Sequence, residues 1–431
     1  MDLTVVAIPG FFASMAYEAR WLKRRAEREG PSPVDYELRD TIASLSMGVG
    51  SLIIPPLTAQ LFRNFELGRG KWAKPVLGVA GAAALTAVVA DAIARAGDQE
   101  AGEVPAAPDG PAAADGEALE RAGAEAHVDS HEAAAGDVPS RATTEGVDAE
   151  RSGAPTASRR VRRWARRVGG SAAVTAIASA GVAAAATWAA RTSAQRLFKK
   201  RVLPDLGGGP LALAAAVLGW DFIYYWNHRL QHESRILWAI HVVHHSSQRY
   251  NLSTALRQPW ADSLGMFVPY GALALAGIRP NLIETARQIN LLYQYWIHTD
   301  AIGKLGRWEA VLNTPSHHRA HHGANSRYLD RNHGSILIIW DRLFGTFQPE
   351  VDEDPVVYGL TRNIDTYNPL RIATHEHADI VRDVYRSRSW SDRLSFVLRG
   401  PGWAYERRAA LGAGDAPVPA AVSGDGEERA A

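Results

Sequence analysis

Eleven of the fifteen histidines in this 431-residue chain lie between His228 and His333. Most of them form three closely spaced groups: His228 with His232, His241 with His244 and His245, and His317 with His318, His321 and His322. Residues at positions i, i+3 and i+4 of a helix share one face, so each group can present two or three imidazoles in one direction. Imidazole suits iron, zinc, copper and nickel. The eight histidines in the H-x3-H and H-x2-H-H spacings, which leave out His317, are too many for one ion. We predict a site for two.

The composition restricts the chemistry further. The chain has no cysteine, which excludes disulfides, thiolate metal sites, cysteine nucleophiles and cysteine-bound iron–sulfur clusters. Any metal must therefore be held by His, Asp, Glu, Asn or the backbone. The net charge of +1 gives no bias toward nucleic acid, and we expect no nucleic-acid partner.

The elements that must position the histidines include apolar runs typical of membrane helices. Residues 1–96 contain three such runs, at 3–17, 41–62 and 74–95, and a run of about 20 residues can span a bilayer. The first run is shorter and a basic patch follows it. We interpret it as an anchoring helix with a cytoplasmic flank, and an amphipathic helix in the membrane interface is the alternative.

Residues 97–168 have a different composition, dominated by Ala, Gly, Glu, Asp and Pro, with no aromatic residue before Trp164. Such a segment buries too little apolar surface to order itself. We predict a disordered insert that ends in a basic run, Arg159 to Arg167, which fits a segment lying on anionic lipid. Residues 411–431 have a similar composition and are predicted to be a disordered tail.

Residues 169–350 contain the histidine groups, and residues 351–410 are predicted to form a C-terminal helical extension. Further apolar runs lie at 169–190, 208–226, 264–278 and 282–297. If the last two form a hairpin that enters the membrane and returns, all histidine groups meet at one face of the membrane. Arginines lie beside these groups, and positively charged loops are usually cytoplasmic, so we expect this face to be the cytoplasmic one. We therefore predict an all-α, multi-spanning membrane protein with a cytoplasmic helical cap around the dimetal site.

Several motifs carry a resemblance to a known family. They are Asp221-x3-Tyr225-x2-His228-Arg229-x2-His232, Leu237-Trp238-x2-His241-x2-His244-His245-Ser246, Asn313-Thr314-Pro315-Ser316-x-His318-Arg319-x-His321-His322-Gly323, Asp330-x-Asn332-x-Gly334 and Trp340-Asp341-x-Leu343-Phe344-Gly345-Thr346-Phe347. Over about residues 208–350 the chain resembles the fatty acid hydroxylase and sterol desaturase superfamily of integral-membrane diiron enzymes. The run from Asn290 to Thr299 is similar to the branch that includes alkylglycerol monooxygenase and many bacterial homologues.

The resemblance implies a set of iron ligands: His228, His232, His241, His244, His245, His318, His321 and His322, with His298 as a ninth. Some members carry a further histidine one helical turn before His298, and this chain has Gln294 there. His317 would lie behind the ligands or be exposed. His333, which follows the matched Asn332, would be a ligand, a hydrogen-bond donor to one, or a substrate contact.

Two aspartates of the motifs are candidates for orienting these ligands. Asp221 and Asp341 would accept the outer N–H of a ligand histidine. The alternative for each is a helix cap or an ion pair with a neighbouring arginine.

The function implied by the resemblance is hydroxylation or desaturation of a lipid (fatty acyl, sterol-like, carotenoid or alkyl ether) with dioxygen. Two iron ions would be the cofactor, and zinc can displace them during purification because nitrogen sites favour zinc over ferrous iron. No haem, flavin or ferredoxin motif is visible, so a separate redox partner must supply electrons.

Two other classes of function remain open. A membrane-bound dizinc hydrolase would usually mix carboxylates with its histidines. A non-enzymatic metal-binding membrane protein would be expected to carry His or Asp along a path inside its spanning segments.

Overall fold

The computed structural model of the chain describes residues 3–100, 156–261 and 268–411. Within these ranges the chain is helical, and the β-type pairing found there is limited to two isolated bridges, Leu312 with Leu337 and Gly323 with Tyr358. The predicted all-α class is confirmed. Most of the predicted insert, residues 101–155, and almost all of the predicted tail lie outside the described residues.

Proline defines the start of many helices. In five of them it occupies the first turn, where its fixed φ suits the helix and its missing N–H would have no partner. In chain order the helices are α1 Leu3–Glu29, α2 Leu38–Phe62, α3 Ala73–Glu100, α4 Thr156–Arg191, α5 Ala194–Phe198, α6 Pro210–Glu233, α7 Arg235–His245, α8 Ala272–Leu275, α9 Pro280–Trp296, α10 Pro315–His321, α11 Ile339–Phe344, α12 Pro369–Arg386, α13 Trp390–Leu398 and α14 Pro401–Ala410.

Three helical stretches of the described chain are long and apolar enough to cross a membrane, and they fit an integral membrane protein. They are Leu38–Phe65, Ala73–Ala96 and Arg159–Arg191. The last two form an antiparallel pair. Asp91, late in α3, lies beside Gly169, early in α4, whereas Leu67, before α3, donates its N–H to Thr187 near the end of α4.

Helix α1 is not among these stretches, and it continues well beyond the apolar run 3–17. Its inward face buries Met15, Glu18 and Leu22. Met15 packs in a cluster with Tyr295 of α9, and Leu22 in one with Tyr250. The helix therefore docks on the histidine-bearing region along most of its length.

The boundary that we expected at residue 168 falls inside α4. This helix begins at Thr156 and includes the whole basic run from Arg159 to Arg167. Arginine is a good helix former, and Ala165 within the run is fully buried. The run therefore belongs to the membrane helix, and α3 likewise extends to Glu100, beyond the expected boundary at residue 96.

The expected pair of apolar helices at 264–278 and 282–297 is only partly present. Residues 262–267 lie outside the described ranges, and the described remainder of the first run contains only the four-residue α8. The second run lies within α9, which packs against α6 in a cluster that includes Trp220 and Leu282. Neither α6 nor α9 is among the candidate spans. Helix α9 has 17 residues and is short for a span, and both helices bury polar side chains.

A buried ion-pair network fastens the C-terminal helices to α7. Arg235, at the start of α7, is fully buried, and its guanidinium lies 2.7 Å from both Glu376 and Asp383 of α12. Arg408 of α14 also binds Asp383, at 2.6 Å. Because α7 carries three of the histidines, this network sets where they lie.

We expect Arg235→Met to destabilise the protein by about 3–5 kcal/mol, because it leaves buried Glu376 without its cationic partner and Asp383 with Arg408 alone. The matched control is Arg382→Met on α12. The ion pair of Arg382 with Asp379 lies at the surface, so its loss should cost at most about 1 kcal/mol. Chemical unfolding in detergent would measure both. Equal losses in the two variants would mean that burial of the Arg235 network is not what holds α7.

Candidate metal centre

Nine buried histidines come together in two adjacent groups. The first group is His228, His232, His241, His245 and His321, and the second is His244, His298, His318 and His322. Within each group, one nitrogen from every ring lies within 4.8 Å of the others. These are the nine residues that the resemblance marked as ligands. Each spatial group combines rings from several helices, so the fold rather than the local sequence assembles it.

The ring nitrogens within each group approach one another closely. Nε2 of His241 lies 2.9 Å from Nε2 of His228 and 3.1 Å from Nε2 of His245. In the second group, Nε2 of His298 lies 3.0 Å from Nε2 of His244 and 2.9 Å from Nε2 of His318. Two nitrogens at right angles around one ion, each about 2.0–2.1 Å from it, are about 2.9 Å apart. The spacing therefore suits ligands that share an ion.

Backbone carbonyls determine which nitrogen of three rings faces the centre. In each case Nδ1 donates to a carbonyl oxygen: His228 to His333 at 2.8 Å, His298 to Gln294 at 2.7 Å and His321 to Arg331 at 2.8 Å. A carbonyl can only accept, so the proton of the neutral ring lies on Nδ1 and the Nε2 lone pair points inward. Outer hydrogen bonds of this kind orient metal-binding histidines.

Burial favours the neutral form of most of these imidazoles. Loss of contact with water, followed by the effect of neighbouring histidines, lowers the pKa well below 6.5 for His228, His241, His244, His245, His318, His321 and His322. Burial also lowers the pKa of His298 to about 4, although its hydrogen bond to Gln294 opposes the change. Neutral imidazole is the form that binds metal ions.

The residues present fit two metal ions. Nε2 of His232, His321 and His322 is buried without a hydrogen-bond partner in the described chain, and buried polar atoms normally have one. Inward lone pairs that converge on one point repel each other unless a cation lies between them. A donor set made only of imidazole nitrogen is suited to iron, zinc, copper or nickel.

Two further histidines lie beside the groups. The His333 ring is fully buried, 5.0 Å from the ring of His232 between centroids, and its Nε2 lies 3.0 Å from the carbonyl of Asp330. His317 faces away from the centre, toward Phe347. His333 supports the first group through its backbone carbonyl, which accepts from His228. His317 lies on the side of α10 that faces away from the two groups.

In the described chain Asp221 bonds to groups other than a histidine ring, which differs from both roles that we considered for it. Its carboxylate accepts hydrogen bonds from the backbone N–H groups of Ile336 and Leu337 and from the indole N–H of Trp340. Burial raises the pKa of Asp221 to about 6. The buried backbone of this loop needs acceptors, and Asp221 supplies them from α6.

Asp341 has the same role at the other end of the loop, again without contact to a histidine ring. It accepts from the backbone N–H groups of His333 and Gly334, both at 2.7 Å, and from the hydroxyl of Thr346. Burial raises its pKa to about 6. The two aspartates therefore hold the segment 331–337, whose carbonyls orient His228 and His321.

Asn332 and Gln294 also act on the backbone. The Asn332 side chain donates to the carbonyls of His317 and Gln348, and its φ of 57° is left-handed, a region that asparagine tolerates. The Gln294 side chain binds Tyr224 and Asn290. Gln294 therefore acts on the metal centre through its backbone carbonyl, which accepts from the His298 ring.

Glu18 of α1 is a site residue that we did not predict. It is 3% exposed, and its carboxylate accepts from the N–H of Leu252 at 2.8 Å, the hydroxyl of Tyr36 at 2.5 Å and the hydroxyl of Thr299. Thr299 directly follows His298. Its one signal in the sequence is an acidic residue at the end of an apolar run, and that signal does not show which groups the carboxylate reaches.

The two histidine groups and the loop that orients them lie in one segment of the chain. Residues 213–346 match the family model described as Fatty acid hydroxylase. This segment is a fatty acid hydroxylase domain. The predicted superfamily is confirmed, and the hydroxylase domain contains all nine histidines of the two groups.

Relatives of the hydroxylase domain include enzymes that act on lipids. Alkylglycerol monooxygenase of Homo sapiens is 46% identical over 194 residues, which are 45% of this chain and 43% of that protein. Alkylglycerol monooxygenase of Danio rerio is 48% identical over 188 residues, covering 44% and 42%. Ornithine lipid hydroxylase of Rhizobium tropici is 28% identical over 146 residues, covering 33% and 44%.

The chain spans less than half the length of these relatives. No solved structure gives a significant match.

We predict that Glu18→Ala removes the ion of the second group and leaves the first group loaded. The change releases Thr299, and with it the segment that positions His298, and no ring of the first group lies on that segment. Metal analysis of the purified protein should give one ion per chain instead of two. Glu27→Ala, at an exposed position of the same helix, is the control and should keep both. A Glu18→Ala protein with two tightly bound ions would show that α1 is not needed at the centre.

Proposed function

We propose that this chain is a membrane-bound lipid monooxygenase that uses two iron ions, dioxygen and electrons from a separate donor. The observation that carries the proposal is the pair of adjacent, buried, all-histidine groups within a fatty acid hydroxylase domain. The three candidate membrane helices support action on a lipid. Nine histidines would hold the ions, five at one and four at the other.

Iron is favoured over zinc by the chemistry that the relatives' names describe. Insertion of oxygen requires a metal that changes oxidation state, and zinc does not. When bound, the iron ions would supply activation of dioxygen and removal of hydrogen from a C–H bond. The all-imidazole ligand set also argues against the dizinc hydrolase, which would usually mix carboxylates with histidine.

The chain itself orients the rings and shields them from water. Tyr250 is fully buried over the second group, 5.2 Å from the ring of His322 between centroids, and stacks on Tyr358. Trp238 covers the first group, with its ring 5.1 Å from that of His232 and 5.6 Å from that of His245. A site that excludes water protects reactive species from side reactions.

We propose an alkylglycerol as the substrate class, on the strength of the relatives above 40% identity. One oxygen atom of dioxygen would enter a C–H bond next to the ether oxygen, and the other would leave as water after taking up two electrons and two protons. The hydroxylated carbon is then a hemiacetal, which breaks down to an aldehyde and glycerol. The two electrons come from the separate donor.

The test is an assay with the full-length protein in detergent, loaded anaerobically with ferrous iron and given a 1-O-alkylglycerol. We expect aldehyde only when dioxygen and a reductant are both added. Full activity with zinc and without dioxygen would instead assign a hydrolase. If a monoacylglycerol is hydroxylated on its chain while the alkyl ether is untouched, the monooxygenase stands and the alkylglycerol assignment is wrong.

In the same assay, His321→Ala should lose metal and lower turnover by more than about 100-fold, since even outer partners of metal ligands contribute about 10–100-fold. His375→Ala is the control, because that histidine lies on α12 outside both groups. It should keep both ions and full activity.

We also propose that the metal centre faces the cytoplasm. Support comes from the basic residues that follow the histidine groups, including Arg327, which is exposed. The chain has no cysteine, so a cysteine at exposed Ser326 should react with an impermeant maleimide only in inverted vesicles. Lys71 lies just before α3, at the end of the α3–α4 pair where α3 begins and α4 ends. A cysteine at this position should react from outside the cell. Labelling of Ser326→Cys in intact cells would reverse the orientation.

A further inference from the structure

A cleft of about 200 Å³ lies away from the metal centre, where the end of α3 and the start of α4 meet the connection between α12 and α13. Its lining is strongly basic. Six arginines contribute to it, namely Arg95, Arg166, Arg167, Arg386, Arg388 and Arg393. One acidic residue, Asp91, is also present, so the cleft carries a large excess of positive charge.

The single acidic residue is already neutralised. Arg393 is buried, and two of its nitrogens lie 2.5 and 2.9 Å from the carboxylate of Asp91. The Nε of Arg393 is also buried and has no hydrogen-bond partner in the described chain. A buried donor without an acceptor is uncommon and points to a missing partner. An anion in the cleft would supply one.

Four of the other arginines have side chains that the described parts of the protein do not engage. No hydrogen bond or ion pair within those parts involves the guanidinium groups of Arg95, Arg167, Arg386 and Arg388. They come from three different segments that the fold brings together. Like charges gathered in one cleft repel each other, so an anionic ligand would relieve the repulsion.

The position of the cleft indicates the source of the anion. Arg95 lies in the last turn of the candidate span Ala73–Ala96, and Arg166 and Arg167 directly precede the apolar part of α4. The cleft therefore lies at the membrane surface. Trp164, one turn away, is 60% exposed, as is typical of aromatic residues at the interface between lipid and water.

We propose that this cleft binds the phosphate group of an anionic phospholipid. Guanidinium groups bind phosphate through paired, charge-assisted hydrogen bonds, and anionic lipids attract basic residues near the membrane surface. The bound headgroup would join α4, which is in the membrane, to the C-terminal helices that position α7. This site is independent of the metal ions.

The experiment titrates the full-length protein in an uncharged detergent with short-chain phosphatidylglycerol and follows binding by native mass spectrometry. Phosphatidylcholine and inorganic phosphate are the comparison ligands. The test variant combines Arg386→Gln with Arg388→Gln, both at exposed positions. The control combines Arg160→Gln with Arg163→Gln, which remove the same charge from exposed positions of α4 outside the cleft.

We expect phosphatidylglycerol to bind, phosphatidylcholine to bind much more weakly, and the test variant to lose about tenfold in affinity while the control stays within about twofold. The melting temperature of each variant without lipid shows whether it is folded. An equal loss of affinity for phosphatidylglycerol in both variants would mean that the lipid is attracted to the basic surface in general and not to this cleft. Inorganic phosphate that binds as tightly as the lipid would make it a small-anion site, and no binding of phosphatidylglycerol would remove the site altogether.

Discussion

Nine imidazole rings share one buried volume, and the lone pairs that point into it need positive charge between them. The described part of the protein places no cationic side chain there. The charge of Arg257 acts on His244, but its guanidinium is bound to Asp40 and Ser44. Burial also makes protonation of the rings costly, as the lowered pKa values indicate. Metal ions are the remaining source of positive charge for the inward lone pairs. The residues around the rings must therefore keep those lone pairs pointing toward the ions.

Ring orientation depends on carbonyl oxygens, and the carbonyl oxygens depend on aspartates. His228 and His321 are turned by the carbonyls of His333 and Arg331. That loop has a left-handed residue on each side of Arg331, and Asp341 binds the N–H groups that follow. A side chain on α11 therefore acts on rings that it never touches. Replacing ligands would not reveal this support.

The chemistry was predictable from the sequence because ligand type is a property of single residues. Histidine spacing indicated shared helix faces, and the motifs marked the nine rings that the fold brings together. The assignment of rings to the two groups was not predictable, since His244 and His245 are neighbours in sequence but belong to different groups. The partners of Asp221 and Asp341 were not predictable, because backbone N–H groups, which carry no sequence signal, compete for the same carboxylates. The start of α4 could not be read from the sequence, because arginine is compatible both with an insert and with a helix end.

The contact of α1 with the metal centre bears on how such domains are inherited. The family match begins at residue 213, yet Glu18 lies about two hundred positions earlier and bonds beside His298. The hydroxylase domain is therefore not a portable module in this protein. A recombination event that joined it to a different N-terminal segment would transfer all nine histidines and still leave part of the scaffold behind. In this protein, the sequence upstream of the boundary that the family model recognises should then be constrained as well.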